Sequence, residues 1–284
     1  MQKPKLFIVL ISVLLLFIAA VSFSASRIIT ALTRYQLQKT FSGSTVSVGK
    51  CFFNPAGSLM FSDIKIKRQG SCDLSIKEVG IKYHFPSLFT GTIGDFYVKK
   101  ITCNDAVIRD VQGTVRIENS VLSVDSLTAR LFNGSLSGNL QLALDKNNEF
   151  SVVLTSAGLN LGTFSEDFKL DDKFQITGKL NGTISLRGGR AGITYINGDF
   201  STDVQGGMLV IKDTRFLENM AKRSGQSLDI LIENFEHYQY NKGMMNVSVD
   251  ENDLVLDIAL DGDTGKRTFD VILHDVITNK GGGL

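Results

Sequence analysis

Tryptophan is absent from the 284 residues, and proline occurs only at positions 4, 55 and 86. With so few prolines, almost nothing would interrupt a β-ladder, which favours long, continuous sheet. Cysteine is scarce too. Cys51, Cys72 and Cys103 form no C-x-x-C pair, so a zinc site has poor support and at most one intramolecular disulfide can form. The three histidines, His84, His237 and His274, lie in separate segments without H-x-x-x-H or H-E-x-x-H spacing. Charge of one sign is also missing: 30 Lys plus Arg against 29 Asp plus Glu leave +1, so the chain offers no surface for nucleic acid. Gly188-Gly189-Arg190 lacks the phosphate-loop pattern, no serine sits in a Gly-x-Ser-x-Gly elbow, and the acidic clusters at 250–253 and 261–263 match acidic hairpin turns better than a calcium loop. The sequence therefore predicts no enzyme, no cofactor and no metal. What is present is 43% hydrophobic and 21% charged residues with 27 glycines, the composition of a folded chain with many turns.

The strongest local signal lies near the amino terminus. From Leu6 to Ala25, twenty residues carry no charge, enough helix to cross roughly 30 Å of hydrocarbon. Small residues at 22–26 also suit signal-peptide cleavage. The length of the run, and helix-compatible sequence continuing from Arg27 to Lys39 without a Gly or Pro, favour an uncleaved anchor. Lys3 and Lys5 place the short amino-terminal segment in the cytoplasm and the body outside it, although Arg27, Arg34 and Lys39 on the other flank weaken that bias.

Beyond Ser44 the dominant period is two. Leu136, Leu140, Leu142 and Leu144 alternate with Ser135, Ser137, Asn139 and Gln141; Leu180, Ile184 and Leu186 alternate with Lys179, Asn181, Thr183 and Ser185. Leu254, Leu256, Ile258 and Leu260 do the same against Asp253, Asp257 and Asp261. Such stretches are antiparallel strands with one apolar and one wet face. Turn signals at 118–120, 133–134, 145–148, 188–189, 205–207, 241–243 and 261–263 divide the body into about fifteen strands. Helix signals are few: a short turn at Pro86–Phe89 and one amphipathic insert within Asp213–Asn234. A sheet this large closes, splits into a sandwich, or curls into an open trough, and the alternation alone does not choose among them.

Particular segments resemble a known family. Ser71 to Asp110, in which a strand, a Leu-Phe turn and a Gly lead into two more strands, is similar to the amino-terminal segment of AsmA-like proteins. Gly113–Leu144 and Gly178–Ile211 resemble that superfamily's glycine-punctuated meander. Ile232 to Gly262, with Asn234-Phe235 and Tyr238 before two strands and a Gly, is similar to the carboxy-terminal region of the YdbH branch. The resemblance is to a shortened YdbH-type protein, its two ends joined without the middle. It implies a mainly β chain: an amino-terminal transmembrane helix within 1–40, then over 41–278 an elongated, curled antiparallel sheet forming an open apolar groove with one amphipathic helical insert, and a loose tail at 279–284.

The implied role is phospholipid transport between the inner and outer membranes of a bacterium. A single pass in the inner membrane would hold the body in the periplasm, and envelope or outer-membrane proteins would complete the path. The groove would be lined by the three stripes: Leu136, Leu140, Leu142 and Leu144; Leu180, Ile184 and Leu186; Leu254, Leu256, Ile258 and Leu260. About fifteen strands at about 4.8 Å spacing give a trough of roughly 70 Å, which suits a shuttle or partial bridge. The alternative is a structural or secretion-apparatus component, since type II secretion protein N resembles this chain in length, anchor and β-rich body. Cys51 and Cys72 would bridge in an oxidising periplasm, or stay as buried thiols; the sequence leaves both open.

Overall fold

A computed structural model of the chain describes residues 24–39, 41, 43–54, 57–67, 73–83, 92–103, 106–145, 147–189, 192–225, 227–250 and 253–273. Most of the expected anchor, residues 6–23, and the Pro86–Phe89 turn lie outside these. Among the described residues, no helix is long and apolar enough to cross a membrane. The chain divides into two compact units, Met1–Asn104 with Arg109–Thr114, and Asp105–Ile108 with Val115–Leu284.

The first unit begins with helix α1 (24–39) and continues with β1 (Thr45–Val48), β2 (Cys51–Asn54), β3 (Ser58–Lys67), β4 (Leu74–Tyr83) and β5 (Thr92–Cys103). Its strands lie in the order β1-β3-β4-β5, and β2 also pairs with β3. β1 and β2 are two halves of one broken strand: Val46 faces Ile66 and Cys51 faces Phe61 along the same partner. Period-two alternation buries Val46, Val48, Phe61, Ile64 and Ile66, and Ile29 and Leu37 of α1 pack against them. Cys51 joins this core as a free thiol, whereas Cys103 on β5, opposite Leu74 of β4, is disulfide-bonded. The Cys51–Cys72 bridge is thereby excluded: Cys51 packs as a small apolar residue under α1. Cys72 lies outside the described residues.

Strand β6 (Ala106–Glu118) gives residues to both units. The second unit contains β7 (Val121–Leu131), β8 (Gly134–Ala143), β9 (Phe150–Asn160), α2 (Leu161–Asp167), β10 (Phe174–Ile176), β11 (Lys179–Gly189), β12 (Gly192–Thr202) and β13 (Gly207–Ile211). After α3 (Thr214–Ser224) and α4 (Leu228–Glu236) come β14 (Tyr238–Tyr240), β15 (Lys242–Asp250), β16 (Asp253–Gly262) and β17 (Gly265–Leu273). Its long sheet runs β7-β8-β9-β11-β12-β15-β16-β17, and each described ladder is antiparallel. β7 and β17 do not pair with each other, so the sheet is not closed into a barrel.

A second, three-stranded sheet, β10-β13-β14, departs from the expected single sheet. Its strands have three to five residues each, too short for alternation to register. The expected single helical insert is two helices: Gly225 adopts φ +67°, a left-handed stop that only glycine takes without strain, and Leu228 begins a second helix. α2 was unexpected. Asn160 caps it by accepting from the Thr163 amide, 2.9 Å.

Candidate functional site

Residues that face each other across an antiparallel ladder share one side of the sheet, so the registers of the second unit decide which side chains form a common surface. One row runs Leu140, Val152, Leu186, Ile196, Val249 and Leu254. The link from Ile196 to Val249 follows the β12–β15 register, in which Asn197 faces Ser248. The next row runs Leu154, Ile184, Gly198, Val247, Leu256 and Val271. A third contains Leu136, Ser156, Gly182, Phe200, Met245 and Ile258. A fourth contains Leu180, Thr202 and, on the neighbouring strands, Gly243 facing Leu260. Leu142 extends the surface toward Phe150.

Ten of the eleven apolar positions singled out from the sequence thus lie on one face. Leu144 does not. It follows the end of β8, donates its amide to Ser120, and is 44% exposed. Ser135, Ser137, Asn139 and Gln141 point to the opposite side and are exposed.

The face is apolar without being fully buried. Leu136, Leu140, Leu142, Leu180, Ile184, Leu186, Leu254, Leu256 and Ile258 are all half-buried. At its centre, Ile196 and Val247 gather Ile184, Leu186, Phe200, Met245, Leu254 and Leu256, all from β11, β12, β15 and β16. These are strands of one sheet, and among the described residues no helix or second sheet contributes to the cluster. Glycines widen the surface locally. A Cβ on Gly182 would meet the Phe200 ring at 2.6 Å, so its absence lets that ring lie across β11. Ser156, a buried polar side chain on the face, is satisfied by donating to the Gly182 carbonyl, 3.3 Å.

One end of the face is closed. There β10, β13, α3, α4 and β14 form a dense core of Leu209, Leu217, Leu231, Phe235, Tyr238 and Tyr240 that takes in Leu260 of the sheet, 4% exposed. Ile258 and Phe269 pack against the same core. The Phe235 ring meets Phe269 edge-on at 6.4 Å. Arg267, which faces Leu260, lies over the Tyr238 ring at 5.3 Å and donates to Asn234 Oδ1, 2.9 Å. Gly262 lets the backbone of Gln239 pass so closely that any Cβ would collide with its carbonyl oxygen. The Asn-Phe, Tyr and Gly pattern noticed in the sequence is therefore the joint between this cap and the sheet.

The cap's hydroxyls are anchored. Tyr240 donates to the Thr177 carbonyl, and burial pushes its phenol up to about 12, with Asp203 adding to the rise. Tyr238 lies 2.7 Å from the Gly265 carbonyl and 3.2 Å from that of Leu260; burial raises its pKa too. At the rim, the β7–β8 turn holds Phe132 and Asn133 at positive φ and docks on α2, with Phe132 against Phe164 at 5.4 Å and Asn133 donating to Thr163, 3.0 Å.

Sequence reasoning missed Val152, Leu154, Ile196, Phe200 and Val247 as members of the face. β9 has Val152 and Val153 side by side, and β12 interrupts its apolar period with Gly198, so neither strand alternates cleanly. Among the described residues, no three His, Cys, Asp or Glu side chains come together to hold a metal, and His237 is exposed at the end of α4.

Residues 104–266 match the family model YdbH-like, described as intermembrane phospholipid transport protein YdbH. No curated protein and no solved structure matches the chain.

Proposed function

We propose a phospholipid-carrying role for this protein: the chain belongs to the YdbH-like family, and its second unit presents the surface such a role requires. Acyl chains would lie along the face formed by Leu136, Leu140, Leu142, Leu180, Ile184, Leu186, Leu254, Leu256 and Ile258, with the cap closing one end at Leu260. The observation that carries this reading is the half-burial of an apolar face whose centre, around Ile196 and Val247, packs among the described residues only against strands of its own sheet. Covering it with lipid contributes about 0.8 kcal/mol per buried CH₂, a large gain for chains of phospholipid length. No reaction is involved: the protein carries its cargo without chemical change.

The uncharged run Leu6–Ala25 supports anchoring in the inner membrane of a bacterium with the body in the periplasm. The disulfide at Cys103 supports an oxidising compartment. The experiment is photo-crosslinking in cells. A photoreactive residue at Leu142 or Leu256 is expected to capture phospholipid, and one at Gln141, on the wet face, is not. Capture of protein alone at Leu142 and Leu256 would replace this role with that of a structural or secretion-apparatus component.

A further inference from the structure

The apolar face of the second unit carries one charge. Along the ladders from β8 to β17, the described side chains on that face are Leu, Ile, Val, Phe and Met, interrupted by Ser156, Thr202 and glycines; the exception is Arg267. It faces Leu260, where the sheet meets the cap, and it is half-buried. The carboxylates of β16 and β17, Asp253, Asp257, Asp261 and Asp270, alternate to the opposite face.

The contacts of Arg267 hold its guanidinium in place without neutralising it. Nη2 donates to Asn234 Oδ1, 2.9 Å, and to the Thr264 carbonyl, 3.3 Å. Nη1 donates to the Lys266 carbonyl, 3.3 Å, and the group lies over the Tyr238 ring at 5.3 Å. All of these partners are neutral, and the Nε donor is buried without an acceptor. A cation on an apolar surface is costly unless an anion answers it. Nη1, with one bond made, keeps a second N–H for such an anion.

Distance along the strands points to the kind of anion. From Leu260 to Leu254, six residues of β16 carry the apolar face over about 20 Å. Each half of a bilayer's hydrocarbon core is about 15 Å deep, the reach of one acyl chain. A guanidinium fork matches phosphate oxygens. We infer that Arg267 is the headgroup-positioning residue of the carrier: it holds the phosphate of the bound phospholipid at the cap, and the acyl chains run from there along the strands toward the row of Leu140, Leu186 and Leu254. This inference rests on the lipid-carrying role proposed above and gives the cargo a fixed orientation on the face.

The test loads the full chain from vesicles of phosphatidylethanolamine that contain one of two photoreactive phospholipids, with the reactive group on the headgroup or at the end of an acyl chain, and locates the labelled peptides by mass spectrometry. The headgroup probe is expected to mark 264–269 and α4, and the acyl-end probe the far row around Leu140, Leu186 and Leu254. Arg267→Gln is expected to lower headgroup labelling at the cap on the order of tenfold, and Arg267→Lys, which keeps the charge, to restore most of it. Hydrogen exchange in α3 and α4 stays protected in both variants, which separates loss of the phosphate contact from loss of the cap. Excess inorganic phosphate leaves the headgroup labelling in place, because the anion arrives on its acyl chains. Headgroup labelling away from the cap, labelling that ignores Arg267→Gln, loss of labelling that comes only with loss of cap protection, or labelling abolished by inorganic phosphate, the mark of a site for the free anion, overturns the inference; acyl-end labelling on the face then leaves the carrier role standing. No labelling by either probe overturns both.

Discussion

Tyr240 is 2% exposed and keeps its proton far longer than a free phenol does. Because its folded pKa of about 12 lies above the ordinary value of 10, its contribution to stability is complete below pH 10 and is lost as pH rises toward 12. The loss amounts to about 2–3 kcal/mol. Tyrosinate absorbance during an alkaline titration should show a late-titrating tyrosine that Tyr240→Phe removes, and the variant should resist pH 11 better relative to its own neutral-pH stability. A Tyr240 that titrates with the exposed tyrosines would contradict the cap geometry.

The cysteines give a second residue-scale outcome. Burial raises the Cys51 thiol and shields it. Maleimide should therefore label Cys51 only after denaturation, and Cys103 only after denaturation with a reductant. Labelling of Cys103 without reductant would show that its disulfide does not form in cells.

Among the elements, the cap packs around a core in which Phe235 is one of six buried side chains. Phe235 is 2% exposed and contacts both Tyr238 and Phe269. Phe235→Ala should cost about 3–5 kcal/mol locally. Hydrogen exchange should then accelerate through α3, α4 and β14 while the β8–β9 ladder keeps its protection; equal loss in both would mean that cap and sheet unfold as one.

Strands β8, β11 and β16 were legible because one face is apolar and the other wet, which writes the period of two into the residues. β9 and β12 carry the same face less visibly, since paired valines and glycines break the alternation. The cap was legible as a stretch with helical spacing and in the Asn-Phe, Tyr and Gly pattern that joins it to the sheet. Its two-helix form depends on the left-handed turn at Gly225, and the small sheet joins β10, β13 and β14 from distant parts of the chain through contacts that no local pattern encodes.

At the scale of the whole molecule, the proposed role requires the apolar face of the second unit to be covered by lipid and not by protein. The direct measurement is to purify the full chain from membranes and count bound phospholipid by mass spectrometry, for the natural sequence and for Ile184→Glu and Leu256→Glu. A carboxylate at a half-buried position on an uncovered face keeps its contact with water, so it should cost far less than the several kcal/mol of a charge buried unpaired in a core. The natural chain should retain phospholipid, and both variants should keep their β circular dichroism and melting transition while losing it. A natural chain free of lipid, or variants that unfold, would contradict it, because the face would then be ordinary packed core.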